Sequence, residues 1–110
     1  MTILEKSENG SSSNTTYVTV VTAPSASARR SIKNINIYNA DSANASVTLT
    51  LVNTATSNSS LMVTTLSSGD TLIYDDVVIL DTANKSIALK LSANVTTSQL
   101  QFMSNYIEVS

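Results

Sequence analysis

The sequence predicts an all-β fold: an antiparallel β-sandwich of about eight short strands, jelly-roll-like or Greek key, with an extended polar arm at its N-terminus. Two observations carry this expectation. Between Ser31 and Asn53, Ile35 and Ile37 alternate with Asn34, Asn36 and Tyr38, and after a polar loop Val47, Leu49 and Leu51 alternate with Thr48 and Thr50. A period of two places each apolar set on one face of a pleated strand. The rest of the chain repeats the pattern in shorter pieces at roughly ten-residue spacing, with no helical periodicity.

Taken in order, Met1 to Thr16 is a polar arm with a small apolar start at Ile3 and Leu4, and its Ser, Asn and Gly content argues against a helix. Ile3 and Leu4 are candidate contacts that would insert into a neighbouring subunit. The sandwich domain then spans 17–110. Tyr17 to Thr22 is the first expected strand, since β-branched residues suit a pleated surface, and Pro24 ends it. Arg29, Arg30 and Lys33 form the only basic cluster, either a solvated edge that discourages pairing or a contact to an acidic partner surface.

Ile32 is out of parity with Ile35, so a bulge is expected near Lys33. Leu61 to Thr65 reads as a short strand with Leu61 and Val63 inward. Ser67 to Asp70 is a turn, with Gly69 available for positive φ. Leu72–Tyr74 and Val77–Leu80 are short runs split by Asp75 and Asp76, and Val77–Leu80, lacking alternation, is expected to be buried on both sides or bulged. Ile87, Leu89 and Leu91 make a clean strand. The closing segment to Val109 changes parity between Phe102 and Ile107, which suggests a bulge near Asn105.

Composition bounds the function. With 110 residues the chain is expected to be one domain. Ser, Thr and Asn make up about 41% of it, far above ordinary usage. The net charge of −2 and the scattered tyrosines give no basic aromatic face for nucleic acid and no cationic patch for an anionic membrane. No apolar run approaches the ~18 residues of a membrane span. The absence of cysteine favours folding in a reducing cytoplasm, and the N-terminus has no secretory h-region. N-x-[ST] triplets at Asn14, Asn44, Asn58 and Asn94 are expected by chance in so Ser/Thr-rich a chain.

Without histidine or cysteine, imidazole acid–base work, nucleophilic triads and ordinary zinc sites have no residues to use. Phosphate-cradling glycine loops are missing, since only Gly10 and Gly69 occur. Asp70, Asp75, Asp76 and Asp81 lack calcium-loop spacing and read as turn and strand-end residues. The chain is therefore read as a non-enzyme with no cofactor and no metal.

The segments RRSIKNINIYNADSANASVTLTLVN, with its I-x-N-IYN strand and VTLTL partner, the L-x-x-GDTL turn, the VVIL run and the closing YIEVS resemble small β-sandwich virion proteins of tailed bacteriophages. These are of the capsid decoration (cement) or neck and tail accessory kind, and the likeness covers roughly 29–110. It implies a structural virion protein, assembled in the host cytoplasm, that binds and stabilises a head shell as a homo-oligomer. Its partners would be the major capsid protein or other virion proteins. A neck, tail or fibre component is the alternative. A carbohydrate-binding adhesin module is the reading from another class; it needs exposed aromatics in a groove, and the chain has no tryptophan.

Overall fold

The computed structural model describes all 110 residues, Met1 to Ser110. Nine strands follow one another without a helix: β1 (Ile3–Ser12), β2 (Val18–Val21), β3 (Arg29–Tyr38), β4 (Ala45–Asn53), β5 (Ser59–Leu66), β6 (Thr71–Tyr74), β7 (Ile79–Leu80), β8 (Lys85–Leu91) and β9 (Leu100–Val109). They form two antiparallel sheets. The first runs β1-β9-β3-β6, with β7 also pairing β3; the second runs β2-β8-β4-β5. β6 and β7 take successive stretches of the same β3 edge, Ile35–Tyr38 and then Arg30–Ser31. Counted as one interrupted strand, they give the paired four-stranded sheets of a jelly roll. The expected antiparallel sandwich is the observed fold.

The core lies between the sheets. Ile35 and Ile37 from β3, Val47 and Leu49 from β4, Ile87, Leu89 and Leu91 from β8, and Leu100 and Phe102 from β9 belong to one buried cluster. Each is an apolar member of an alternating strand, so the sequence pattern and the buried face coincide. A core Ile or Leu truncated to Ala would cost about 2–5 kcal/mol.

Bulges decide the remaining parity. At Lys33 the β3–β9 register slips, so that Ile32 faces Tyr106 while Asn34 faces Asn105. The extra residue lets Ile32 and Ile35 both point inward, as expected from their broken parity. The bulge expected near Asn105 in the closing strand is not there. β9 pairs β1 without a slip, and Leu100, Phe102, Ser104 and Tyr106 all face in, so the irregularity belongs to β3 alone. A second slip leaves Leu61 as the extra residue, because Leu49 faces Met62 and Thr50 faces Ser60. That reverses the face expected for Val63, which is 68% exposed while Leu61 and Met62 pack on the core. The Val77–Leu80 run also departs from expectation. It alternates after all, with Val78 and Leu80 inward and Val77 and Ile79 exposed.

The largest correction concerns Met1 to Thr16. The boundary expected at Tyr17 does not separate a loose arm from the sandwich. Ile3 to Ser12 pairs with Val109 to Leu100 along its whole length, and Thr2 and Ser110 exchange both backbone hydrogen bonds. Strand propensity did not reveal β1 because Ser, Asn and Gly are poor strand formers. Only the offered edge of β9, a contact far away in sequence, makes it a strand. Gly10 is required there for a close approach: a Cβ would sit 2.6 Å from Phe102 Cζ.

Candidate functional site

Three features could serve a partner or ligand: an ionic cluster at one end of the sandwich, a loop clamp at the other, and the outer face and edges of the first sheet.

The ionic cluster is built from inward-facing positions of three neighbouring strands. Lys6 and Glu8 come from β1, Tyr106 and Glu108 from β9, and Arg30 from β3. Arg30 is buried, and its Nε donates to Glu108 Oε1 at 2.8 Å while Nη1 donates to the Thr22 carbonyl and hydroxyl, each at 2.6 Å. Its guanidinium also lies 4.9 Å from the Tyr106 ring centroid. Lys6 Nζ bridges to Glu108 Oε2 at 2.9 Å. Glu8 Oε2 accepts from the Tyr106 hydroxyl at 3.0 Å and from the Thr22 backbone N–H at 2.9 Å. The Lys6 ammonium and then the Arg30 guanidinium hold the Glu108 carboxyl below its usual range. Burial first, then the hydrogen bond to Glu8, pushes the Tyr106 phenol from 10.0 up to about 12. Every charge here has an internal partner, so the cluster ties β1 to β9, β3 and the end of β2.

The expected basic cluster therefore divides. Arg30 turns inward and is no surface contact. Arg29 remains exposed, and Lys33, at the bulge, reaches Glu5 at 3.4 Å. Strand alternation separates neighbours Arg29 and Arg30 onto opposite faces. Ile3 and Leu4 stay 62% and 45% exposed, at the start of β1 and not on a free arm.

The clamp centres on Asp41, a residue the sequence patterns did not single out. Its buried carboxylate accepts backbone N–H bonds from Thr96 at 2.8 Å, Thr97 at 2.7 Å and Ser98 at 3.3 Å, and the Thr97 hydroxyl at 3.0 Å. The Thr96 and Thr97 amides lead in holding its pKa far below the ordinary carboxylate range, against the opposing effect of burial. Asn39 beside it is fully buried and donates to the carbonyls of Ala43 and Leu66 at 3.0 Å each. Together they lock three connections, β3–β4, β5–β6 and β8–β9. The legible signal was an Asx pair, Asn39 and Asp41, in a loop where such side chains bond nearby backbone. By contrast, Asp70, Asp75, Asp76 and Asp81 do not converge: no three acidic side chains lie close enough to share an ion.

The outer face of the first sheet carries the Lys33–Glu5 ion pair beside a pair of amide side chains at its middle. Asn105 Nδ2 donates to Asn34 Oδ1 at 2.7 Å there. Towards one end Tyr38, Ile73 and Met103 are exposed, and a shallow groove of ≈ 320 Å³ is lined by Asn9, Asn36, Tyr38, Gln101 and Met103 with Gly10 and Phe102. Towards the other end lie exposed Ile3 and Ile79. The groove holds one exposed aromatic ring, Tyr38, and three amide side chains and no ionisable acid–base pair, so it can stack and hydrogen-bond a neutral group.

No protein-family model and no curated protein matches the sequence. Among solved structures the chain is similar to one in the Bacillus endospore appendages, described as disulfide-linked pili. The TM-score is 0.58 at 9% identity, covering 99% of this chain and 88% of that one. It also aligns with a chain of the cyanophage Pam1 capsid asymmetric unit, with a TM-score of 0.48 at 14% identity and coverage of 96% and 83%. A third is a chain of the T13 infectious bursal disease virus particle, at 0.42 and 11% identity, of which only 30% is covered. The first likeness shows a shared sandwich fold. The other two are more distant and add nothing to it.

Proposed function

We propose that this chain is a non-catalytic structural subunit of a virus particle, and within that role a decoration or cement protein that covers and stabilises a phage head shell. The observation that carries the reading is where polar and apolar groups are left over. The charged groups of the end cluster are consumed internally, whereas a long strand edge and a weakly charged sheet face with exposed Tyr38, Ile73, Ile79 and Met103 remain unpartnered. Such surfaces suit extended protein–protein contact through backbone hydrogen bonds and apolar pairs. On a symmetric shell, repeated copies multiply weak contacts by effective concentration. The motif resemblance to phage accessory proteins points the same way, and the structurally similar endospore appendage chain is, by its description, part of a pilus. Partners would be the major capsid protein or neighbouring virion proteins.

Quantitative mass spectrometry of purified virions tests the reading. Copies in proportion to the major capsid protein support a decoration role. A dozen or fewer per particle would move the chain to the neck or tail. Absence from particles overturns both.

The groove beside Tyr38 favours a second reading, a carbohydrate-binding module. Exposed aromatics in a groove were its requirement, and Tyr38 with Asn9, Asn36 and Gln101 is the one place that meets it in part. Glycan-array binding that Tyr38→Ala abolishes would support this reading; no binding to any glycan removes it.

A further inference from the structure

We propose that two copies of this chain join through their β1 edges, antiparallel and centred on Ser7, into one continuous sheet across a two-fold axis. This deepens the reading of the chain as an assembly subunit and rests on it.

β1 is the best free edge the fold offers. It runs for 10 residues with no slip in its register to β9. The competing edges are short, bent or broken. β2 has 4 residues and a slip, β5 carries the Leu61 bulge, and β6–β7 is interrupted between Tyr74 and Ile79. Bulges and short strands block edge pairing, and β1 has neither; the charges that could also block it, Lys6 and Glu8, are of opposite sign and decide the register.

Backbone geometry then says which groups are available. Thr2 and Ser110 exchange both hydrogen bonds, so even-numbered residues of β1 bond to β9. In an antiparallel ladder the bonding direction alternates. The N–H and C=O of Ile3, Glu5, Ser7, Asn9 and Ser11 therefore point to the open edge. None of these backbone groups bonds elsewhere in the fold.

Charge selects the register. A two-fold perpendicular to the sheet keeps both inner faces on the same side and allows only registers in which odd residues meet odd and even meet even. Centring on Glu5, Lys6 or Glu8 sets like charges directly opposite, which is destabilising. Centring on Ser7 sets Lys6 opposite Glu8 of the second copy, twice by symmetry, in the closely spaced non-bonded pair position. Lys6 is free to do this: it spends one of its three N–H donors on Glu108 and keeps 38% of its side chain exposed. The same register puts Glu5 opposite Asn9. It also puts Leu4 opposite Gly10, where the missing side chain leaves room for it. Centring on Asn9 forms fewer backbone pairs and adds no charge pair across the two-fold to those Lys6 and Glu8 already make within the chain.

Cysteine scanning tests both the dimer and its register, since the chain has no native cysteine. Ser7, Glu5 and Asn9 are exposed, so single replacements leave the fold intact. In the proposed dimer, Ser7 faces itself at about 5.5 Å between Cα atoms, within disulfide reach. Ser7→Cys should oxidise to a linked dimer. Glu5→Cys or Asn9→Cys alone should not, because each lies roughly 14 Å from its own copy. A mixture of those two variants should link to each other. Ser7→Pro removes an edge-facing N–H and leaves the β9 ladder whole, so it should weaken dimerisation about tenfold or more, read by analytical ultracentrifugation. A monomeric wild-type chain, or equal linking by all three single cysteines, overturns the proposal. A Ser7-linked dimer from a protein absent from virions would keep the pairing and remove the virion reading. An abundant virion protein that never links at Ser7 would remove the pairing alone.

Discussion

Replacing Gly10 by Ala tests whether the N-terminal strand is a packed member of the sandwich. A Cβ built at Gly10 lies 2.6 Å from Phe102 Cζ, 3.1 Å from Cε2 and 3.4 Å from Cε1. The first distance is well inside van der Waals contact, so either the ring or the β1 backbone must move. Phe102 is 6% exposed and held in the core, and a ring shifts as a rigid unit. Overpacking of this kind costs about 1–3 kcal/mol. Replacing glycine returns about 0.4–1 kcal/mol by restricting the unfolded chain. The net expectation is a loss of about 1–2 kcal/mol, which for a domain of this size lowers Tm by roughly 4–8 °C. Urea denaturation and calorimetry would measure it. Phe102→Leu in the same chain should relieve the clash, so the double variant should lose less than the sum of the single losses. A Gly10→Ala variant as stable as the parent, or more so, would refute the close approach and with it the seating of β1 on β9.

Three further expectations follow from the same framework. Arg30→Met should destabilise by about 3 kcal/mol, at the lower end for a broken buried pair because Lys6 still serves Glu108; adding Glu108→Gln should recover part of that in urea titrations. The Asp41 carboxyl has a folded pKa depressed from 3.8, so its stabilising contribution is present above about pH 4 and is lost as pH falls through the folded value. Denaturation midpoints should fall with acid below pH 4, and Asp41→Asn should be less stable at neutral pH with a flatter acid limb; an unchanged limb would count against the clamp. Deleting residues 1–12 should leave no native sandwich, because it uncovers the β9 edge beside Leu100 and Phe102 and removes Lys6 and Glu8 from Glu108 and Tyr106. Near-ultraviolet circular dichroism retaining the native signal after deletion would show that β1 is dispensable.

The class of fold and most of its core follow from the local pattern of residues alone. Ile35, Ile37, Val47, Leu49, Ile87, Leu89 and Leu91 alternate with polar neighbours or, at Ala88, a small one, and a period of two puts the large apolar side chains on one face. The Lys33 bulge was legible for the same reason, since Ile32 and Ile35 can share a face only if a residue is inserted between them. Other features have their cause on another strand. β1 has almost no local strand signal and exists because β9 offers it an edge. Val63 points outward because a bulge at Leu61, set by the pairing with β4, inverts the parity after it. Arg30 left the surface because carboxylates from β1 and β9, distant in sequence, meet it inside the sandwich. Asp41 became a clamp only when the loop before β9 brought three backbone amides to it. Alternation is a local property of the chain, and partners are not: which edge is free, which charge is spent and which loop is pinned depend on contacts that form only when the two sheets close.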